Sequence, residues 1–339
     1  MKGMVARNLN KINPLKNTIR YSLSLILTKG RKVCTELAAS IGKKHDSVQR
    51  DLNAAAKNPE EIEAKLLANV IQKNRETPGY LIMDNSLLIK EHAKKIEGVS
   101  YQHAGSQEKP GISVTALIWT NLKNIEPVTL FTWKKGDKSK IKTATDFAIS
   151  FAQKINAKGV LADGAFASID AINKYIQASV SFVMRFHSNR VIEVPGFEGS
   201  AQIAKHPAFK FKKNQRSIIR KVLWHGLELR VIALKIKHAT KGWIIMFLVT
   251  NMSTQSAQQI AELYTHRWKI ETFFRTCKQQ FGLGQCQAHS LRKQKAHCLS
   301  VFLAYSMTQK IPIPLSDHKN HVGSTYLHPD QIKSLMSYA

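Results

Sequence analysis

Between residues 79 and 186, strand-sized apolar runs alternate with helical stretches in an order that few architectures accommodate. Gly79–Met83 (GYLIM), Ser113–Thr120 (SVTALIWT) and Val128–Trp133 (VTLFTW) follow one another with no helix between them, the pattern of an antiparallel meander. Thr143–Ile155 then places Phe147, Phe151 and Ile155 on one helical stripe, and Gly159–Ala162 (GVLA) is a short buried strand. Ala167–Ile176 reads as a helix and Val180–Phe186 as another strand. Strands separated by helices pair in parallel, so the expected fold class is α/β: a mixed sheet flanked by helices. Val191–Thr250 is strand-like again, in Ser217–Leu223, Leu227–Ile236 and Trp243–Thr250, and reads as a β-rich insertion. Ala257–Gln280 has neither Gly nor Pro and is expected to be one long helix.

The first 60 residues carry twelve Lys and Arg against four Asp and Glu. Within them, Leu37, Ala38 and Ile41 repeat at helical spacing, Gly42 interrupts, and Asp46 or Ser47 can cap a second helix. That helix places Val48, Leu52 and Ala55 on one face and leaves Ser47, Gln49, Arg50 and Asn53 outward, residue types that bond base edges and phosphates. This is a helix-turn-helix pattern over about residues 34–56; a plain helical hairpin would share it. The expected organisation is a helical DNA-binding region at 1–75 and an α/β core at 76–190 and 251–310. The β-rich insertion spans 191–250, and a weakly ordered tail spans 311–339.

With 51 Lys and Arg against 23 Asp and Glu, the formal net charge of the 339 residues is +28. So large an excess in a chain with 43% hydrophobic residues points to a folded protein with an anionic partner, nucleic acid first. No apolar run approaches the ~18 residues of a membrane helix, and no secretory signal is evident at the N-terminus. Four cysteines are too few for a disulfide framework, which suggests a reducing cytosol. Cys277, Cys286, His289, His297 and Cys298 lie close in sequence, but their spacing matches no common zinc pattern. His103 and His187 have no assignable chemistry and are read as structural.

Two acids, Asp84 after YLIM and Asp163 after GVLA, stand at the ends of apolar runs. A carboxylate there borders the core yet reaches solvent, which suits a metal ligand or general base, or simply a turn. On the long helix, Tyr264, Arg267, Glu271 and Lys278 sit at offsets that keep them within about 60° of one another. The adjacent stripe, Leu263, Ile270, Phe274, Cys277 and Phe281, is apolar. An acid between two cations beside a tyrosine suits phosphate chemistry, although Arg267 and Glu271 would also form an ordinary i, i+4 ion pair.

This row, Y-x-x-R-x-x-x-E-x-x-x-x-x-x-K, resembles the signature of DDE transposases of the insertion-sequence-four type. Met83-Asp84-Asn85-Ser86 and Ala162-Asp163-Gly164-Ala165-Phe166 are similar to that family's first and second acidic motifs, with Asn85-Ser86 where a threonine-containing form is more usual. The resemblance covers roughly Tyr80–Gly284. It implies a ribonuclease-H-like core in which Asp84, Asp163 and Glu271 are catalytic and hold two Mg²⁺ ions, with Mn²⁺ able to substitute. Arg267 and Lys278 would then clamp phosphates, Tyr264 would touch the DNA backbone, and Trp268 would stack on a base or join the core. The implied partners are double-stranded DNA, at the element's inverted-repeat ends and at the target, and a second copy of the chain on DNA. No membrane is implied, and the expected location is the cytoplasm, at the nucleoid. A DNA-binding regulator without catalysis, or a metal-dependent nuclease without strand transfer, would use many of the same residues.

Overall fold

A computed structural model describes residues 14–309, apart from positions 92, 94, 105, 106, 138, 239 and 241. Residues 1–13 of the N-terminal region and the tail at 311–339 therefore lie outside the described residues. Four helices come first: α1 (Pro14–Leu27), α2 (Cys34–Ser40), α3 (His45–Lys57) and α4 (Pro59–Glu76). Between α2 and α3 the chain reverses over four residues, with Gly42 at φ +62°, a left-handed conformation that would strain a side chain. Val48, Leu52 and Ala55 of α3 and Ala38 of α2 are buried, so the helix-turn-helix closes on the expected faces. Its cap differs: α3 starts at His45 after extended Lys44, with no side-chain cap, because Asp46 and Ser47 already lie inside the helix. Asp51 is buried and pairs with Arg20 of α1.

The sheet follows with β1 (Tyr80–Ile89), β2 (Ser100–Ala104), β3 (Gln107–Thr120) and β4 (Ile125–Trp133). Next come α5 (Lys140–Ile155), β5 (Gly159–Ala162), α6 (Ile169–Gln177) and β6 (Phe182–Phe186). β3 runs antiparallel to β1 and β4, while β1–β5 and β5–β6 are parallel, giving the order β4-β3-β1-β5-β6. β7 (Val191–Glu193), β8 (Ser200–Gln202), β9 (Ser217–Trp224), β10 (Leu227–His238) and β11 (Gly242–Thr250) supply the β-rich segment. Since β11 pairs with β6, that segment extends the same sheet to eleven strands. The mixed sheet flanked by helices is the expected fold class.

The chain closes with α7 (Ala257–Thr265), α8 (Trp268–Gln280) and α9 (Leu291–Thr308). The single helix expected over Ala257–Gln280 is thus two helices. At the junction His266, Arg267, Lys269 and Ile270 each donate a backbone N–H three residues back instead of four, tightening the chain into a 3₁₀-like turn. β1 also departs from expectation. Asp84, Asn85 and Ser86 end the apolar run, but their backbone keeps pairing with β3 as far as Ile89, so Asp84 lies within the strand.

Strand alternation divides the interior in two. Leu81, Met83, Val160, Ala162, Phe182 and Met184 face one layer, packed with α5 and α6. Ile82, Leu161 and Val183 face the other, packed with α1, α3, α8 and α9. Two buried polar groups fasten these layers. The Asn74 amide donates to the Ile155 carbonyl, while its oxygen accepts from Gly79 N–H and Trp119 Nε1. Glu126, 0% exposed, pairs with Lys73 and accepts from Ser306 Oγ. Among the described residues no helix is long and apolar enough to cross a membrane.

His297 ties α1 to the loop after α8. Its Nε2 donates to the Gly282 carbonyl (3.0 Å), so Nδ1 of the neutral ring accepts from Tyr21 Oη (2.9 Å). Burial, with Lys90 nearby, holds the imidazole down at about 4 against an ordinary 6.5. The unfolded chain therefore binds the extra proton between pH 6.5 and 4, and stability contributed by neutral His297 is lost as pH falls through that window. Wild type is expected to lose about 2–3 kcal/mol relative to His297→Gln between pH 7 and pH 4, read by urea unfolding at each pH. A pH-independent difference would contradict this.

Candidate active site

The register of the parallel strands sets the site. Ile82 pairs with Leu161, and Leu161 with Val183, all on the layer that receives α8. Two residues further along the chain stand Asp84 in β1, Asp163 just past the end of β5, and Arg185 in β6. Adjacent strands are only ~4.8 Å apart, so Asp84 and Asp163 leave the backbone side by side where the parallel pairing ends. Asp163 does not cap the 3₁₀ turn Gly164–Phe166 that follows it, and its side chain is left for other contacts.

α7 and α8 close over this row. Ile270, Phe273, Phe274 and Cys277 bury their side chains in the apolar layer, which turns the flanking polar positions toward the strand ends. Arg267, in the turn between the helices, is 8% exposed. Its Nη1 donates to Asp84 Oδ2 at 2.9 Å and its Nη2 to Glu271 Oε1 at 2.6 Å. One guanidinium thus bridges two acids that are 187 positions apart, and their accepting oxygens lie within about 8 Å of each other. The simple exposed i, i+4 pair considered from sequence is instead a part-buried three-residue arrangement around a buried Arg267.

Electrostatics couple the third acid to this pair. Burial pushes the Asp84 carboxyl up to about 6; Arg267 and the Asn85 N–H oppose the shift, while Asp163 and Glu271 add to it. Burial likewise lifts the Tyr264 hydroxyl to about 12, within the fields of Arg267, Asp163 and Arg185, so it stays a protonated donor at neutral pH. The Arg267 guanidinium lies 5.8 Å from the Tyr264 ring and 5.5 Å from the Trp268 ring. Trp268 is 60% exposed, which excludes the core role. Lys278 Nζ donates to Ser86 Oγ (2.8 Å) and the Leu87 carbonyl (3.2 Å), and burial pulls its pKa down. Both partners are neutral, so its charge is not neutralised there.

Oxygen donors of this kind suit hard divalent cations such as Mg²⁺. Among the described residues, however, no three His, Cys, Asp or Glu are gathered so as to hold a metal ion; the Arg267 guanidinium stands between two of the three acids. Cys277 and Cys298 are buried in the core, and both ring nitrogens of His297 are committed to Tyr21 and Gly282. In the helix-turn-helix, Gln49 and Arg50 are exposed and Ser47 and Asn53 half-buried. Arg50 Nη2 donates to Ser47 Oγ at 3.3 Å. Gln49 and Asn53 line a cavity of about 530 Å³ whose other wall includes Gln285, Gln287 and His289.

Sequence reasoning overlooked Arg185 and read His187 as structural. Arg185 is the one exposed side chain in the otherwise buried run of β6, and a cation interrupting an apolar strand was the available signal. His187 sits over Gly164: a Cβ there would lie 2.9 Å from its Nε2 and 3.2 Å from the Arg185 carbonyl. Gly164→Ala is therefore expected to cost about 1 kcal/mol, with part regained in the Gly164→Ala/His187→Ala double variant. A double-mutant cycle by chemical denaturation should give a coupling of at least about 0.5 kcal/mol; strict additivity would refute the contact.

Comparison with known proteins follows the same lines. The piggyBac transposase, solved by cryo-electron microscopy as a synaptic complex with hairpin DNA, aligns over 95% of this chain and 70% of its own, with TM-score 0.50 and 12% identity. At that identity the likeness concerns the fold alone, and it agrees with a ribonuclease-H-like transposase core. The NurA nuclease from Sulfolobus solfataricus aligns over 76% of this chain and 95% of its own with TM-score 0.28 and 10% identity, too loosely to define a shared fold. No curated protein matches the chain. Residues 75–307, well over half of the chain, match the family model described as transposase DDE domain, and the chain belongs to that family.

Proposed function

We propose that the protein is a DNA transposase of the insertion-sequence-four type, cutting the ends of a mobile element and joining them to target DNA by a DDE mechanism. The observation that supports this reading is the Arg267 guanidinium bonded to both Asp84 and Glu271, with Asp163 close enough for its charge to act on Asp84. Asp84, Asp163 and Glu271 would be the residues to hold two Mg²⁺ ions, with Mn²⁺ able to substitute; when bound, such ions would offset charge on the attacking and leaving oxygens of an in-line displacement.

The surrounding side chains fit the other needs of the reaction. Lys278, bound only to neutral partners, carries an uncompensated positive charge for a phosphate beside the cut. Tyr264 remains protonated and can donate to a phosphate or sugar oxygen, and exposed Trp268 offers a face for a base. Hydrolysis exposes a 3′-hydroxyl, which attacks a target phosphodiester so that one P–O bond forms as another breaks. The helix-turn-helix would read the inverted-repeat ends through Ser47, Gln49, Arg50 and Asn53, and two copies would pair the two ends. Double-stranded DNA as partner accords with the charge of +28, and the expected setting is the nucleoid.

The test uses duplexes carrying the terminal repeats that flank the gene, incubated with purified protein and Mg²⁺. Cleavage and joining are expected, with losses of at least about 10³-fold in Asp84→Asn, Asp163→Asn and Glu271→Gln. Cleavage without joining would make the protein a nuclease, and binding without cleavage would make it a regulator. Lys278→Ala should slow cleavage ~10²–10³-fold with the fold intact; an unchanged rate would remove Lys278 from the substrate path.

End recognition has its own measurement. At fixed salt, the Gln49→Ala/Arg50→Ala double variant should lose more affinity for the element ends than for unrelated duplex. Phosphate contacts alone lower both equally, so an unchanged ratio would refute base readout by α3.

A further inference from the structure

We infer that Arg267 is the internal cation of the metal-free site, competing with divalent metal for Asp84 and Glu271. The inference rests on the proposed reading of these acids as metal ligands and adds a role for the arginine that the motif does not supply. The two Nη atoms of Arg267 occupy one oxygen each of Asp84 and Glu271. A guanidinium bonded to both acids takes up oxygens that a metal ion would need, which accords with the lack of a ready metal-binding group among the described residues.

Three features make this arrangement exchangeable. One guanidinium against three acids leaves excess negative charge, which a divalent ion neutralises more fully. Arg267 Nε is buried with no hydrogen-bond partner, so the bridge leaves a donor unsatisfied and is not the best environment this side chain could have. Arg267 also sits in the tight turn between α7 and α8 rather than within either helix, with the exposed Trp268 ring 5.5 Å away. The guanidinium already lies over that exposed aromatic face, which can keep hold of it when the acids are released. Arg267 is then free to pair with substrate only when the acids have taken up metal, so an unloaded site cannot clamp DNA through this residue.

The alternative is that Arg267 is a fixed scaffold holding the acids in place for metal, and the two accounts predict opposite signs. Mn²⁺ affinity is measured on the full-length protein without DNA, by electron paramagnetic resonance of free Mn²⁺, for wild type, Arg267→Gln and Asp163→Asn. Melting temperatures in EDTA are recorded alongside. Competition predicts that Arg267→Gln binds Mn²⁺ at least about tenfold more tightly than wild type and melts lower in EDTA, while Asp163→Asn binds more weakly. Equal or weaker binding by Arg267→Gln, with Asp163→Asn still weakened, overturns the competition and leaves the metal site standing. No Mn²⁺ bound by wild type or Arg267→Gln overturns the metal site and the inference with it. Should Arg267→Gln fail to fold, Arg267→Lys decides the matter: its single ammonium cannot span both acids, so competition requires tighter binding there too.

Discussion

Holding acids at the edge of an apolar layer is the constraint on which the rest of this structure depends. Asp84 follows the last residue of β1 that pairs with β5, Glu271 reaches it through the shared Arg267 guanidinium, and the charge of Asp163 acts on it from nearby. Burial makes the Asp84 carboxyl resist ionisation and lifts its pKa to about 6, with the charges of Asp163 and Glu271 adding to the shift. The chain answers with cations from separate elements. Arg267 comes from the α7–α8 turn and bridges two of the acids, Lys278 anchors one turn of α8 to the backbone of β1, and Arg185 projects from β6. A folded protein concentrates charge in this way at a site that handles charge.

The same face carries the link to the N-terminal helices. α8 runs into the loop at 281–290, which buried polar groups pin from several directions. Lys90 donates to the carbonyls of Gly284 and Cys286, the Lys32 N–H donates to Gln285 Oε1, and His297 joins Gly282 to Tyr21. Residues of α1, α2 and α3 share one apolar layer with α8 and α9. The exposed face of α3 is thereby held in a fixed relation to the acids, as the proposed end recognition requires.

Much of this was legible in the residues themselves. The meander of GYLIM, SVTALIWT and VTLFTW, the stripe of Phe147, Phe151 and Ile155, and the acids after YLIM and GVLA followed from hydrophobic period and from polar residues ending apolar runs. The helix split at His266–Arg267 was not legible, because no Gly or Pro marks it and the 3₁₀-like tightening comes from backbone bonds. Nor was the continuation of β1 past Asp84, since strand length there is set by pairing with β3 rather than by side-chain hydrophobicity. The burial of Arg267 and the commitment of His297 were hidden for the same reason. Each depends on partners far along the chain, Asp84 in one case and Tyr21 in the other, and local spacing carries no trace of them.

The central claim is that Asp84, Asp163 and Glu271 form one metal-dependent centre. Its most direct test is anomalous scattering from crystals grown with Mn²⁺ and a terminal-repeat duplex. The account predicts Mn²⁺ density within ~2.0–2.3 Å of carboxylate oxygens from all three residues, with the Arg267 guanidinium no longer between Asp84 and Glu271. Mn²⁺ bound elsewhere, or no Mn²⁺ while Arg267 still bridges the two acids, would contradict it.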